Sequence, residues 1–237
     1  MTVLSGSELR GRLKTRDLSK RLVVSPILEP NEQVKDDRAS IDVRLGFEFA
    51  LMSPSLIGAI DEMAFGPKAQ RHLELAKLYS RSYVPFGKTL VIHPHQFILA
   101  GTLEYLRLPR DLMSYVVGRS TWGRLGLTIA TAIGIHPGFA GTLTLELRNL
   151  GEIPLTLHPG DTIAQLFFHQ IDGTKEERAD EAAADEAGQY VGTVDLIPRT
   201  MSPSATFEKL SRLQAARLER ERQGATPSER NESDPTS

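Results

Sequence analysis

Nine residues, Gly118 to Gly126 (GRSTWGRLG), hold two arginines, a serine, a threonine and three glycines directly after an apolar run. Arginine keeps its proton at any working pH, the hydroxyls add donors, and glycine lets backbone N–H groups come close to a ligand, which together describe an anion cradle. The spacing matches no phosphate-loop motif, and on these residues alone a solvated turn with scattered charge is the commoner arrangement. Further on, Glu146 lies in GTLTLELRNL. There Leu143, Leu145 and Leu147 share one face of an alternating strand, and Thr144, Glu146 and Arg148 share the other. A strand glutamate of this kind usually faces solvent, with Arg148 as a ready surface partner. What sets Glu146 apart is order: a Ser/Arg loop, a strand, a Pro-Gly turn, then this strand.

The elements that must position these groups are short. With 237 residues and 40% hydrophobic content, the chain can bury one sizeable core. From about residue 39 to 171, pieces rich in Val, Ile, Leu and Thr follow one another: SIDVRLGFEFALM, KTLVIHPHQFILAGTLEYLRL, SYVVG, LGLTIATAIGI, GTLTLELRNL, IPLTLHPG and DTIAQLFFHQI. Turn signals such as Pro137-Gly138 and Pro159-Gly160 separate them, which predicts a mainly β protein with a compact barrel or jelly-roll core. Ahead of it, Ser5 or Ser7 can cap a short helix through about Leu13, and RLVVSP reads as a brief strand. Residues 54–81 read as partly helical or looped.

Beyond Ile171 the composition changes. Residues 172–190 carry seven acidic and two basic side chains, which predicts a mobile acidic loop or a short solvated helix, possible as a lid. Helical periodicity returns over 203–223, with Phe207, Leu210 and Leu213 along one arc and Arg217, Arg220 and Arg222 near the basic end. The division expected is a domain over 1–198, a helical extension over 199–223 and a disordered tail over 224–237.

Composition also excludes. No cysteine occurs, so disulfides, thiolate nucleophiles and cysteine-based zinc sites are ruled out. No apolar run approaches the ~20 residues of a membrane span, and MTVLSGSELRGRLK lacks the apolar centre of a signal peptide, so a soluble, cytoplasmic protein is expected. A formal charge of −2 gives no global case for nucleic acid, while allowing a local basic pocket.

The block GRSTWGRLGLTIATAIGIHPGFAGTLTLELRNLGEIPLTLHPGDTIAQLFF resembles the central block of dCTP deaminases, of the dUTPase-like superfamily. The family pattern there is a GRSS-x-x-RLG loop, a Thr-Ala pair, an Ile-Asp-x-Gly turn, an LE-x-x-N strand and a P-G-x-x-I-x-Q/A-L segment. Upstream, SIDVRLG is similar to the family's (S/T)-x-D-(V/L)-R-L-G strand, and downstream GQYVGT resembles a closing K-Y-x-x-Q segment. The resemblance runs from the N-terminus to about Pro198.

The resemblance implies a dUTPase-like jelly-roll core, a homotrimer or hexamer with sites between subunits, and conversion of dCTP to dUTP and ammonia without catalytic zinc. It implies that Glu146 is the general base, with Ser120 and Arg124 positioning water, cytosine and the carboxylate. Arg119, Ser120 and Thr121 would cradle the triphosphate, and Mg²⁺ would ride on that triphosphate. Thr131, Ala132, His136, Gln165, Gln189, Tyr190 and Thr193 fall at further substrate-binding positions.

Three positions depart from the pattern. His136 replaces the aspartate that accepts a hydrogen bond from the sugar 3′-hydroxyl, a bond neutral imidazole can still accept. The stretch between Arg124 and Thr131-Ala132 is one residue shorter than usual. Gln189 and Thr193 stand in place of a phosphate-binding lysine and a glutamine, removing donors that Lys175 or Arg199 would have to supply. Two alternatives to a deaminase therefore stay open: a nucleotide-binding or regulatory relative with little turnover, and a dUTPase-type pyrophosphatase.

Overall fold

In a computed structural model, residues 2–53, 59–60, 68–130, 134–171, 196, 209 and 212–219 are described, those at 68–72 by backbone alone. The chain opens with β1 (Thr2–Val3) and α1 (Gly6–Lys14), followed by β2 (Val23–Ser25), α2 (Pro30–Gln33) and β3 (Ser40–Met52). Then come α3 (Lys68–Lys77), β4 (Tyr79–Tyr83), β5 (Leu90–Ile92), β6 (Phe97–Arg107) and β7 (Leu112–Gly118). The last part holds α4 (Ser120–Arg124), β8 (Leu127–Ile129), β9 (Gly134–Ile135), β10 (Ala140–Asn149), β11 (Leu155–Leu157) and β12 (Thr162–Gln170).

The helix cap is Ser5. Its hydroxyl accepts from the Glu8 N–H while Glu8 Oε2 accepts from the Ser5 N–H at 2.7 Å, a reciprocal box that satisfies two donors at the helix start. The Ser5 hydroxyl donating to Glu8 Oε2 at 2.7 Å, and then the Ser5 N–H, hold the Glu8 carboxyl below its usual pKa.

The strands pair antiparallel in the order β8-β10-β6-β3-β12-β7-β9, with β1 on β12, β2 on β6 and β4 on β3; β5 and β11 form a separate pair. The mainly β expectation holds, including the short N-terminal helix. β3 belongs to both halves of the curled sheet: Ser40–Arg44 pair with β12, and Leu45–Met52 with β6 and β4. The corner falls at Gly46, where a Cβ would lie 2.8 Å from the Gly101 carbonyl oxygen, so only glycine lets the two backbones come together. Inside the curl, Ile41, Leu45, Phe49, Ile98, Leu106, Leu112, Leu145 and Phe168 are fully buried.

Two of the longer strand-like pieces each hold two strands. KTLVIHPHQFILAGTLEYLRL becomes β5 and β6, separated by a turn in which His95 takes φ 64°. LGLTIATAIGI becomes β8 and β9 on opposite sides of the sheet order. The Gly118–Gly126 stretch, expected as a loop, contains the single helical turn α4. Within the expected helical extension, residues 209 and 212–219 are helical; the acidic stretch 172–190 and the tail 224–237 lie outside the described residues. Among the described residues no helix is long and apolar enough to cross a membrane.

Candidate active site

β7 delivers the cradle. Gly118 pairs with Ala164 of β12, the Arg119 N–H bonds the Ile163 carbonyl at 3.2 Å, and Trp122 donates from Nε1 to the Thr162 carbonyl at 3.0 Å. With the indole packed against the core, α4 is pinned to β12 and its Ser120, Thr121 and Arg124 are left exposed.

Arg119, expected in the triphosphate cradle, forms an ion pair with a carboxylate on another strand. Its Nη1 donates to Asp42 Oδ1 at 2.8 Å and Oδ2 at 2.9 Å, from β7's end to the start of β3. Asp42 lies opposite Gln165 of β12, which is half-buried. Asp42 was not singled out by sequence although SIDVRLG was; its partner is 77 residues away, beyond the reach of any local periodicity.

Asp42 is held in turn from below. Gln33 of α2 donates from Nε2 to the Asp42 carbonyl at 3.3 Å and to Glu104 Oε1 at 3.1 Å. Glu104, with no exposed side-chain surface, also accepts from the Arg44 backbone N–H at 2.8 Å and from Arg44 Nε at 2.7 Å. Burial pushes the Glu104 carboxyl up, and the Arg44 hydrogen bonds and charge act against that push.

Glu146 sits on β10 with the alternation expected: Leu143, Leu145 and Leu147 are buried and Glu146 is half-buried on the other face. Opposite it on β6 is Leu99, then Ala50 of β3. Ala50, Leu99 and Leu196 form a small apolar cluster with Tyr79 and Phe97 packed against it. This wall keeps water from part of the carboxyl, and burial raises the Glu146 pKa above the usual glutamate value. The Tyr79 phenol is likewise raised, chiefly by burial and then by the Glu146 charge, which places the two groups within electrostatic reach. Nothing in the sequence pattern marked Tyr79, Leu99 or Leu196, because they come from β4, β6 and a position far beyond β12.

His136 is exposed at the first position of a turn closed by the Phe139 N–H on the His136 carbonyl at 3.2 Å. Pro137 follows, and Gly138 takes φ +80°, the arrangement of a type II turn. The candidates Thr131, Ala132, Gln189, Tyr190 and Thr193 lie outside the described residues, as do Lys175 and Arg199.

The site therefore falls into two parts. Along the sheet, β10 with Glu146 and β7 with the cradle are separated by β6, β3 and β12. A further asparagine supports the β10 end: Asn149, fully buried, donates from Nδ2 to the carbonyls of Ile92 at 3.0 Å and Ile153 at 2.9 Å and accepts from the Gly151 N–H at 2.9 Å. All the hydrogen-bonding groups of this amide but one lone pair are used, which explains an asparagine at the end of the strand.

The sequence model of dCTP deaminase-like proteins matches residues 3–171. The chain is 36% identical over 172 residues to the dUMP-forming dCTP deaminase of Methanobrevibacter smithii, covering 72% of this chain and 81% of that protein. It is 35% identical over 191 residues to the dCTP deaminase of Natronomonas pharaonis, covering 80% and 90%. Among solved structures, the 2′-deoxycytidine 5′-triphosphate deaminase from Agrobacterium tumefaciens has a similar fold, with a TM-score of 0.51 and 21% identity. The match covers 70% of this chain and 46% of that one.

Proposed function

The chain belongs to the dCTP deaminase-like family, and from that premise we propose that it hydrolyses dCTP to dUTP and ammonia, with Glu146 carrying the protons. The observation that supports this most is the setting of Glu146: a half-buried carboxyl raised by burial beside an apolar wall. A general base gains when its pKa moves toward the working pH.

The ionised carboxylate takes a proton from water as the water oxygen bonds to C4 of the cytosine ring, and delivers that proton to N3. It then moves the remaining hydroxyl proton to the exocyclic nitrogen. The C4–N bond breaks, its electron pair leaving with ammonia, and the C4 carbonyl forms. Ser120 and Arg124 orient the water and the base, while Arg119, Ser120, Thr121 and Gln165 hold the triphosphate. Mg²⁺ enters as the counter-ion of that triphosphate. His136 accepts from the sugar 3′-hydroxyl.

Incubation with dCTP and Mg²⁺ followed by product analysis tests the reading. Ammonia and dUTP support it; thermal stabilisation by dCTP with neither product replaces it with a binding or regulatory role. A second reading follows from the name of the Methanobrevibacter smithii relative, dUMP-forming. If that product is shared, pyrophosphate and dUMP accumulate beside ammonia.

The two-part site supports a homotrimer in which one copy's cradle meets another copy's Glu146. Glu146→Gln and Arg124→Ala variants, each inactive alone, should then regain activity when dissociated, mixed equally and reassembled. Random closure of a ring leaves about a quarter of the interfaces with both groups native, so about a quarter of parental activity is expected. A mixture as inactive as its parts would put both groups in one copy.

A further inference from the structure

Asp42 faces two guanidinium groups. Arg119 Nη1 binds both of its oxygens, and Arg38 Nη1 stands 4.0 Å from Oδ2. One carboxylate against two arginines leaves a net positive charge. The carboxylate is the deepest of the three at 13% exposure, whereas Arg119 is 30% and Arg38 43% exposed, so the excess cation lies on the solvent side. Asp42 uses Nη1 of Arg119 alone, and the Nε and Nη2 of that guanidinium carry three further N–H donors.

Part of the surrounding charge is committed elsewhere. Of the acids near Arg38 in the chain, Asp37 directly precedes it and is exposed to solvent, whereas Asp36 pairs with Arg10 at 2.7 Å and Glu32 with Lys35 at 2.7 Å. Arg44, two residues beyond Asp42, is committed to buried Glu104. Gln165, opposite Asp42 in register, and exposed Ser120, next to Arg119, add uncharged polar groups to the same patch. At 4.0 Å, the outer limit of an ion pair, and with the Arg38 side chain 43% exposed, this contact contributes little to folding.

We propose that Arg38 is a second phosphate-binding cation of the cradle, holding the outer phosphates of a nucleoside triphosphate while Asp42 keeps Arg119 aimed at the inner ones. The assignment rests on the triphosphate reading of the site given above. Arg38 then supplies on this side the cationic donor that Gln189 cannot supply from the far end of the chain.

Calorimetry on the full chain with inorganic tripolyphosphate, dCTP, dCMP and deoxycytidine tests it, using wild type, Arg38→Ala and Arg38→Lys. The alanine variant should bind tripolyphosphate and dCTP roughly five- to tenfold more weakly, lose less for dCMP and nothing for deoxycytidine. Lysine should recover part of the loss, because it restores charge without the planar fork. KM for dCTP should rise with kcat and melting temperature unchanged. An unchanged dCTP affinity, an equal loss on deoxycytidine, or no tripolyphosphate binding by wild type overturns the assignment. The two readings separate cleanly. Normal dCTP turnover in Arg38→Ala with an unaltered KM removes the subsite and keeps the reaction, whereas Arg38-dependent tripolyphosphate binding without any deamination keeps the subsite and removes the reaction.

Discussion

Glu146→Gln should slow dCTP deamination by roughly 10²–10⁴-fold, the range that a positioned general base contributes, while dCTP affinity stays within a small factor of wild type. The amide keeps the shape of the carboxyl and cannot exchange a proton. The same group should set the acid limb of the pH profile. In the proposed reaction Glu146 works ionised, and burial raises its pKa, so kcat/KM should fall as pH drops through a value above the ordinary glutamate pKa of about 4.3. Stability responds with the opposite sign. The unfolded chain ionises at the ordinary value and the folded chain only at the raised one, so folding loses stability as pH rises between the two. Glu146→Gln should accordingly melt at the same or a slightly higher temperature at neutral pH. A variant that keeps wild-type turnover, or that loses activity together with its fold, would remove Glu146 from the chemistry.

The largest effect on stability is expected at Glu104. Glu104→Ala removes the acceptor for two Arg44 donors and one Gln33 donor and leaves a guanidinium buried without its counter-charge. Breaking such a pair from one side costs about 3–5 kcal/mol, measurable as a shift in the urea midpoint. Gln33 also donates to the Asp42 carbonyl, so the loss should carry into the cradle and weaken triphosphate binding in any surviving folded protein. An equally destabilised protein after replacing Tyr105, the exposed neighbour of Glu104, would deny the network this role.

The contrast between Glu146 and Glu104 shows what a linear reading captures. Glu146 sits in an alternating strand, Glu104 towards the end of one that is buried without a break over Ile98–Thr102. Glu146 was legible because three leucines at period two mark the face opposite it and because the flanking motifs resemble a known family. Glu104 was not, since a buried carboxylate is identified by its partners, and Arg44 and Gln33 lie 60 and 71 residues away. The same holds for the cradle. GRSTWGRLG announces cations and hydroxyls, but the ion pair that aims Arg119, and the Arg38 beside it, exist only once β3 is laid near β7 across β12. Turn chemistry was legible at Pro137-Gly138 and Pro159-Gly160, where both glycines take positive φ. The turn at His93–Gln96, between β5 and β6, was not among the turn signals named, since it carries no Pro-Gly pair.

The turn at His136 bears on how such a pocket can change over evolutionary time. Its backbone path is set by the proline and the glycine that follow, and the side chain at its first position is exposed. Position 136 is thus insulated from folding: residues of different chemistry can be exchanged there while the polypeptide keeps its course. His136→Asp should shift stability by no more than about 0.5 kcal/mol and should alter the ratio of dCTP to 3′-deoxy-dCTP affinity, read from paired binding isotherms. A large stability change, or an unaltered ratio, would speak against this separation. In the genetic code histidine and aspartate are one base apart, so a lineage can sample either side chain at position 136 by a single substitution without first acquiring a compensating change in the scaffold.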